Sequence, residues 1–532
     1  MKKSLLAAFA LFIALAVNAQ IPGTMKWTVK NSPATEAASL YRTAPLAVAA
    51  DGSVFTTGTF DQPITIGKYA LENVATSAYL AKYSATGEAL WGISLSGAAT
   101  ITCIAVDADG QAYVAGVFAD AVTVGSTDGN GQTINGKADE TKQTSAFVAK
   151  YSADGKLLAV KTVYTAPNAE VAGTGLYFPE SGDVYFRPKQ MKVADGKLYV
   201  SAVYTGDVSM DNVAWGGRYV NIFDAMFSDL PSVGLFAMDA ATLAGAQSVV
   251  LLQGTEKITT VQMMPEDICF TVDAGVVYVG FVANGKMKLT SKDGEQAIDM
   301  AYDEVGNYEH AFILSAIGAN TQTSIHHVAA HDKSYGTDHI SAMAVAGDKL
   351  YVGGTFYNEL AFNKLKTSKG AADMFVACLN KDDMKVVWAG TDAYDEGDAN
   401  NFDEVMTGLA VYNGNVFATG YAEQKDRTVT ARLSFLFTAT GTASAGDNGL
   451  IGALAYNGEM FAVNVVDRLD VNTAAYEFGT PSAIAFVDDT ANVNGQVYTI
   501  DGKVLGRVPQ ASLRKGLYLV KKNGKVEKLW VR

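Results

Sequence analysis

The sequence predicts an all-β fold: a seven-bladed β-propeller closed by its N-terminal strand, followed by a small β module. Three observations carry this. A paired-strand pattern recurs seven times, a further strand pair follows it in several copies, and the last copy lacks a strand that the N-terminal region supplies.

In chain order the copies are PLAVAADGSVFTTGTF (from Pro45), ITCIAVDADGQAYVAGVF (from Ile101), QMKVADGKLYVSAVY (from Gln190), ICFTVDAGVVYVGFV (from Ile268), ISAMAVAGDKLYVGGTF (from Ile340), MTGLAVYNGNVFATGY (from Met406) and IGALAYNGEMFAVNVV (from Ile451). Each reads as an apolar strand, a tight turn and a second β-rich strand, with no helical periodicity. Asp-Gly, Asn-Gly or Gly-Asp at the turn supplies the positive φ angles of short hairpins. A third and fourth strand follow in SAYLAKYSATGEALW (Ser77–Trp91), SAFVAKYSADGKLLAV (Ser145–Val160) and DMFVACLNKDDMKVVW (Asp373–Trp388). Weaker versions are VGLFAMDAATLAGAQSVV and LSFLFTATGTASA. A lone four-stranded sheet of this kind leaves its faces in water. Radial stacking buries both faces and leaves only short edges.

The last unit offers ALAYNG, EMFAVNVV and SAIAFVDD, then no fourth strand. GTMKWTVKNS (Gly23–Ser32) resembles the fourth-strand segment GEALWGISLS, with Trp27 in the place of Trp91. The N-terminal strand is therefore expected to complete the last blade and tie the chain ends together. The expected divisions are a signal peptide over 1–19, the propeller over 20–488 and the β segment over 489–532.

The start of the chain has the three parts of a secretory signal: Lys2 and Lys3, the apolar run Leu5 to Val17, and the small-residue site Val17-Asn18-Ala19 before Gln20. The run is shorter than the ~20 residues that span a bilayer, so export without a transmembrane segment is expected. Cys103, Cys269 and Cys378 sit in apolar strand patterns and read as small buried hydrophobes, not a disulfide framework. A net charge of −14 argues against nucleic acid or an anionic membrane surface as partner.

DADGQAYVAGVF followed by SAFVAKYSADGKLLAV resembles the bacterial seven-bladed propeller repeat (SBBP-like), with its Tyr-Val-x-Gly and Ala-Phe-Val-Ala-Lys-Tyr elements. That resemblance spans about residues 23 to 488. It implies a propeller and an exported location, and no single activity. The C-terminal piece carries Arg507, Arg514, Lys515, Lys521, Lys522, Lys525, Lys528 and Arg532, with hairpin turns at Asp501-Gly502 and Asn523-Gly524. Its LRKGLYLVKKNGKVEKLWVR resembles the end of the type IX secretion (Por) sorting domain of Bacteroidetes, through Lys515-Gly516-Leu517-Tyr518, Asn523-Gly524-Lys525 and Lys528. The earlier Asn-Pro element usual in such domains is absent.

Connectivity puts the tight turns on one face of the disc and the variable loops on the other, and loops carry function more often than scaffolds do. Three long variable segments are TDGNGQTINGKADETKQT, APNAEVAGTGLYFPESGDVYFRPK and DVSMDNVAWGGRYVNIFDAMFSDLP. HHVAAHDKSYGTDH adds His331, Asp332, Asp338 and His339, with His331 and His339 the candidate metal ligands. Its spacing matches no zinc signature. His326 and His327 fall on a strand, where successive side chains diverge. TDAYDEGDANNFDE offers Asp392, Asp395, Glu396, Asp398, Asp403 and Glu404, oxygens suited to calcium without the spacing of a calcium loop; the run reads first as a solvated acidic loop, with a shallow site for a cationic partner as the functional alternative. No cofactor is otherwise implied. Tyr177, Phe178, Trp215, Tyr219 and Phe223 could stack on a sugar or pack as core.

No Gly-x-Ser-x-Gly elbow, phosphate-cradling loop or His-Glu-x-x-His occurs. The expectation is a monomeric, non-catalytic protein that binds a protein or glycan at the cell surface or in the periplasm. The alternatives are a carbohydrate-active enzyme with carboxylates at the central mouth, and a purely structural surface protein.

Overall fold

In the computed structural model, the described residues are 24–31, 44–136, 145–167, 185–210, 213–216, 218–222, 226–254, 268–284, 286–292, 294–299, 310–318, 324–330, 339–356, 359–360, 362, 365–366, 372–391, 402–424, 429–437, 443–447, 451–467, 470–477, 496–499, 504–506, 516–522 and 525–531. They are strands and their connections, and none is helical. Two compact units divide at Glu477 and Phe478. The expected boundary near Asp488 lies outside the described residues.

In the first unit, six antiparallel sheets are built around four strands that follow one another in sequence. Sheet 1 has Leu46–Val48, Val54–Phe60, Ser77–Tyr83 and Ala89–Ser96; sheet 2 has Ala99–Val106, Ala112–Phe118, Ser145–Tyr151 and Leu157–Ala166. Sheet 3 has Phe186–Ala194, Lys197–Tyr204, Ser232–Asp239 and Gln247–Gly254; sheet 4 has Ile268–Asp273, Val276–Asn284, His310–Ile317 and Ser324–Ala330. Sheet 5 has His339–Ala346, Lys349–Phe356, Asp373–Asn380 and Val386–Thr391; sheet 6 has Phe402–Tyr412, Asn415–Gln424, Val429–Phe437 and Ala443–Asp447. The closing sheet is composite: Ile451–Tyr456, Met460–Asp467 and Asp470–Glu477, with Thr24–Asn31 as its outer strand.

The first strand of each sheet lies beside the first strand of the next, and that of the closing sheet lies beside that of sheet 1. Apolar clusters fill the gaps between successive sheets: Phe55, Trp91 and Phe147 between sheets 1 and 2, Tyr113, Phe186 and Phe236 between 2 and 3. Phe270 and Phe281 sit with sheet 3 side chains, Phe356 and Phe375 with sheet 4 side chains, and Trp388 with Met406 between sheets 5 and 6. Trp27, Tyr83 and Met460 fill the gap between the closing sheet and sheet 1. Sheets packed face to face around a closed ring of inner strands make a β-propeller.

Trp27 closes the ring as Trp91 links sheet 1 to sheet 2. Each indole Nε1 donates to a carbonyl in a turn of the next sheet, Trp27 to Ala85 and Trp91 to Ala153, both at 3.1 Å. Gly87 and Gly155 lie against these indoles at positive φ, where any Cβ would strike the ring. A buried polar patch joins the same closing seam. Asn464 Nδ2 donates to Ala44 O at 2.6 Å, Thr473 Oγ1 donates to Asn464 Oδ1 at 2.7 Å, and Asn457 Nδ2 donates to Ala49 O at 2.8 Å.

Two expectations need correction. The third strand of the closing sheet is Asp470–Glu477, which pairs with both neighbours; SAIAFVDD lies outside the described residues. The variable segments, expected as open loops, instead contain hairpins that extend the sheet before their own. Ala121–Val124 with Gln132–Asn135 joins the outer strand of sheet 1, and Asp207–Met210 with Val213–Trp215 joins that of sheet 2. Lys286–Ser291 with Gly294–Asp299 does the same for sheet 3. The pairing satisfies backbone groups that an outer strand would leave open.

The second unit is one antiparallel sheet ordered Val504–Gly506, Gln496–Thr499, Gly516–Lys522, Lys525–Val531. It contains both hairpins read from the sequence. Among the described residues, no helix is long and apolar enough to cross a membrane.

Candidate binding surface around the ring axis

Five inner strands carry a register shift at equivalent positions: between Ile101 and Cys103, Pro188 and Gln190, Ile340 and Ala342, Met406 and Gly408, and Ile451 and Ala453. The extra residues are Thr102, Lys189, Ser341, Thr407 and Gly452. A bulge leaves its extra residue without a cross-strand partner and re-aims the side chain. It also explains the glycine of the repeated Tyr-Val-x-Gly element. A Cβ at Gly116 or Gly354 would collide with the carbonyl of Thr100 or His339, just before the bulge.

Inner strands border the ring axis, and several of their side chains remain accessible. Thr102, Ser341 and Thr407 are half-buried and Lys189 is exposed. The Thr102 hydroxyl donates to Ala115 O at 3.4 Å, and Thr407 and Thr419 hydroxyls lie 3.1 Å apart, so both hydroxyls are turned partly toward their own sheets. One turn of the pleat before Lys189, Arg187 is also exposed, with its guanidinium 4.1 Å from the centre of the Tyr185 ring. Pro188 between them is buried. Among the described residues, no carboxylate pairs with Arg187 or Lys189.

Further along the same strand the side chains turn inward. Lys192 Nζ donates to Thr271 Oγ1 at 2.9 Å and to Val272 O at 3.2 Å in sheet 4. Burial holds this ammonium below the usual lysine range, with the Asp273 carboxylate opposing that shift. Gln190 accepts the Phe270 N–H at 3.0 Å. Asp273 receives Lys381 from sheet 5 at 2.9 Å, which raises the pKa of that lysine.

The residues singled out from the sequence fare differently. His331, Asp332, Asp338, Asp392, Asp395, Glu396, Asp398, Tyr177, Phe178 and Phe223 lie outside the described residues. His326 and His327 are on the outer strand of sheet 4, and Tyr219 and Asp403 are also on strands. His339 is the half-buried first residue of an inner strand, paired with Thr355. Glu404, expected in an open acidic loop, is buried between sheets 5 and 6. Its Oε2 accepts the Met374 N–H at 3.0 Å and its carbonyl accepts the Thr355 hydroxyl at 2.9 Å, so it joins the two sheets. Trp215, read as either a sugar platform or a packing residue, is buried with its ring 4.6 Å from that of Phe236. Both were read as loop residues because their strands form only by pairing with distant segments. Cys103, Cys269 and Cys378 are buried and form no disulfide, and burial pushes the Cys103 thiol up to about 12.

Arg187 and Lys189 escaped the sequence reading, which followed histidines, carboxylates and aromatics. Their signal was YFRPK, two cations around a proline at the end of a variable segment of an acidic chain.

No protein-family model matches the sequence, and no curated protein matches it. Among solved structures, polysaccharide lyase Uly1 aligns with 10% identity and a TM-score of 0.33, over 86% of this chain and 100% of that one. The acylaminoacyl peptidase of Pyrococcus horikoshii aligns with 9% identity and a TM-score of 0.35, over 94% and 59%. The hemagglutinin-neuraminidase ectodomain of parainfluenza virus 5 aligns with 8% identity and a TM-score of 0.30, over 86% and 82%. Scores this low carry no functional argument. The strand order alone establishes the architecture, an all-β propeller with a separate C-terminal β unit.

Proposed function

We propose that this protein is an exported, non-catalytic propeller that binds a glycan or protein ligand at the mouth of its axis. The observation that carries the reading is the set of bulged inner strands, whose accessible side chains border the ring axis. The hairpins of the variable segments pair with the outer strands of neighbouring sheets, which orders part of the variable face before any ligand arrives. Preorganisation of this kind favours binding, because little ordering remains when a ligand arrives. Counting the closing sheet with sheets 1–6 supports a seven-bladed ring. The N-terminal signal pattern and the Por-like end of the C-terminal unit support export and sorting to the cell surface.

The test takes the mature chain, from Gln20, to a glycan array and to a pull-down against cell-surface extract, with product analysis of any bound glycan. Retention of an intact ligand, reduced by substitutions at the mouth, supports the reading. Cleavage of the glycan overturns it in favour of an enzyme. Equal surface display with and without residues 489–532 overturns the sorting component.

A further inference from the structure

We infer that the mouth of the axis takes an anionic polysaccharide, held through its carboxylate or sulfate groups by Arg187 and Lys189. The inference rests on the binding reading above and adds the chemistry of the ligand.

Four features of the inner strand Phe186–Ala194 lead to it. First, Arg187 and Lys189 are both exposed and flank the buried Pro188. Second, Lys189 is the extra residue of the bulge, without a cross-strand partner to hold its side chain within the sheet. Third, the Arg187 guanidinium stacks on Tyr185, which fixes its plane and leaves its N–H edge free for a two-pronged grip on an anion. Fourth, among the described residues no carboxylate neutralises either cation. Lys192, lower on the strand, is committed to Thr271 and Val272 and takes no part.

The rest of the axis suits a saccharide. Ser341 places a half-buried hydroxyl residue at the equivalent level of another inner strand, while the Thr102 and Thr407 hydroxyls at that level bond within their own sheets. Hydroxyl side chains both donate and accept, as a sugar's own hydroxyls demand. The net charge of −14 sharpens the point, because a polyanion is repelled by the molecule as a whole. Any that binds must do so at a local cationic site.

The mature full-length chain is tested by affinity electrophoresis and titration calorimetry against polygalacturonate, dextran sulfate and neutral dextran. Retention by polygalacturonate or dextran sulfate, weakening as salt rises, is expected, with none by dextran; the two anionic arms separate carboxylate from sulfate as the recognised group. The Arg187→Gln/Lys189→Gln double variant is expected to lose about tenfold or more in affinity, and Lys189→Glu to lose binding outright. Lys156→Gln, an exposed lysine in a tight turn on the opposite face, is expected to bind as wild type. Both mouth variants change exposed side chains, and unchanged thermal melts verify their fold. Equal affinity of wild type and the double variant, binding of dextran as tight as that of the anionic probes, or no binding of either anionic probe overturns the inference. A neutral glycan or protein captured at the mouth also overturns it, while leaving the broader binding reading in place.

Discussion

Replacing Trp27 by alanine tests the closure of the ring. The indole is 8% exposed, donates to Ala85 O at 3.1 Å, lies 5.8 Å from the Tyr83 ring and covers Gly87. Truncating a buried tryptophan costs about 3–5 kcal/mol through lost transfer energy and the cavity left behind. At ~2.1 cal/mol/K per residue, the unfolding entropy of a cooperative unit of this size is about 1 kcal/mol/K, so the melting temperature should fall by roughly 3–5 °C. Trp91→Ala removes the same contact, to Ala153 O, at a seam where the chain itself connects sheets 1 and 2. Only the Trp27 seam holds strands from opposite ends of the unit, Thr24–Asn31 against Asp470–Glu477. Trp27→Ala should therefore also speed protease nicking near the N-terminal strand, which Trp91→Ala should not. Calorimetry and limited proteolysis of the two variants decide the matter. A Trp27→Ala protein that melts within about 1 °C of wild type, or is nicked no faster than Trp91→Ala, would refute the clasp.

Gly354→Ala should destabilise by about 2–4 kcal/mol, because its Cβ meets the His339 carbonyl and the Ile340 backbone, neither of which can swing away. Gly347→Ala, in the open turn of the same sheet at φ +62°, should lose only about 1–2 kcal/mol of left-handed strain; urea melts that rank them the other way argue against the bulge explanation. Lys192 gives a pH signature. Its pKa is depressed in the folded state, so at alkaline pH below 10.5 the unfolded chain binds more protons and stability rises with pH. Lys192→Met should remove that rise, read as the wild-type-minus-variant difference in urea midpoints; a difference that stays constant or falls with pH contradicts the assignment.

Much of the scaffold was legible because its signals are local. Alternating apolar residues around Asp-Gly and Asn-Gly turns mark a hairpin whatever surrounds it, and Asn413-Gly414 indeed has positive φ at both residues. Trp27 could be matched to Trp91 for the same reason: each strand carries its own pattern. Asp470–Glu477 is different: pairing on both sides, with Thr24–Asn31 and with Met460–Asp467, makes it a strand of the closing sheet, and no local signal sets it apart.

The candidate site divides along the same line. Sequence alone determined the strands, their turns and their grouping into repeated units, since backbone preference and apolar alternation act over a few residues. Tertiary structure decided which segments became sheet edges, which polar residues were sealed in seams and which faced the axis. Glu404 and Trp215 looked available in the sequence and became buried when neighbouring sheets closed over them. Arg187 and Lys189 looked like the tail of a loop and became exposed cations on an inner strand. Accessibility depends on contacts between residues far apart in the chain, and those contacts exist only once the sheets have stacked around a common axis.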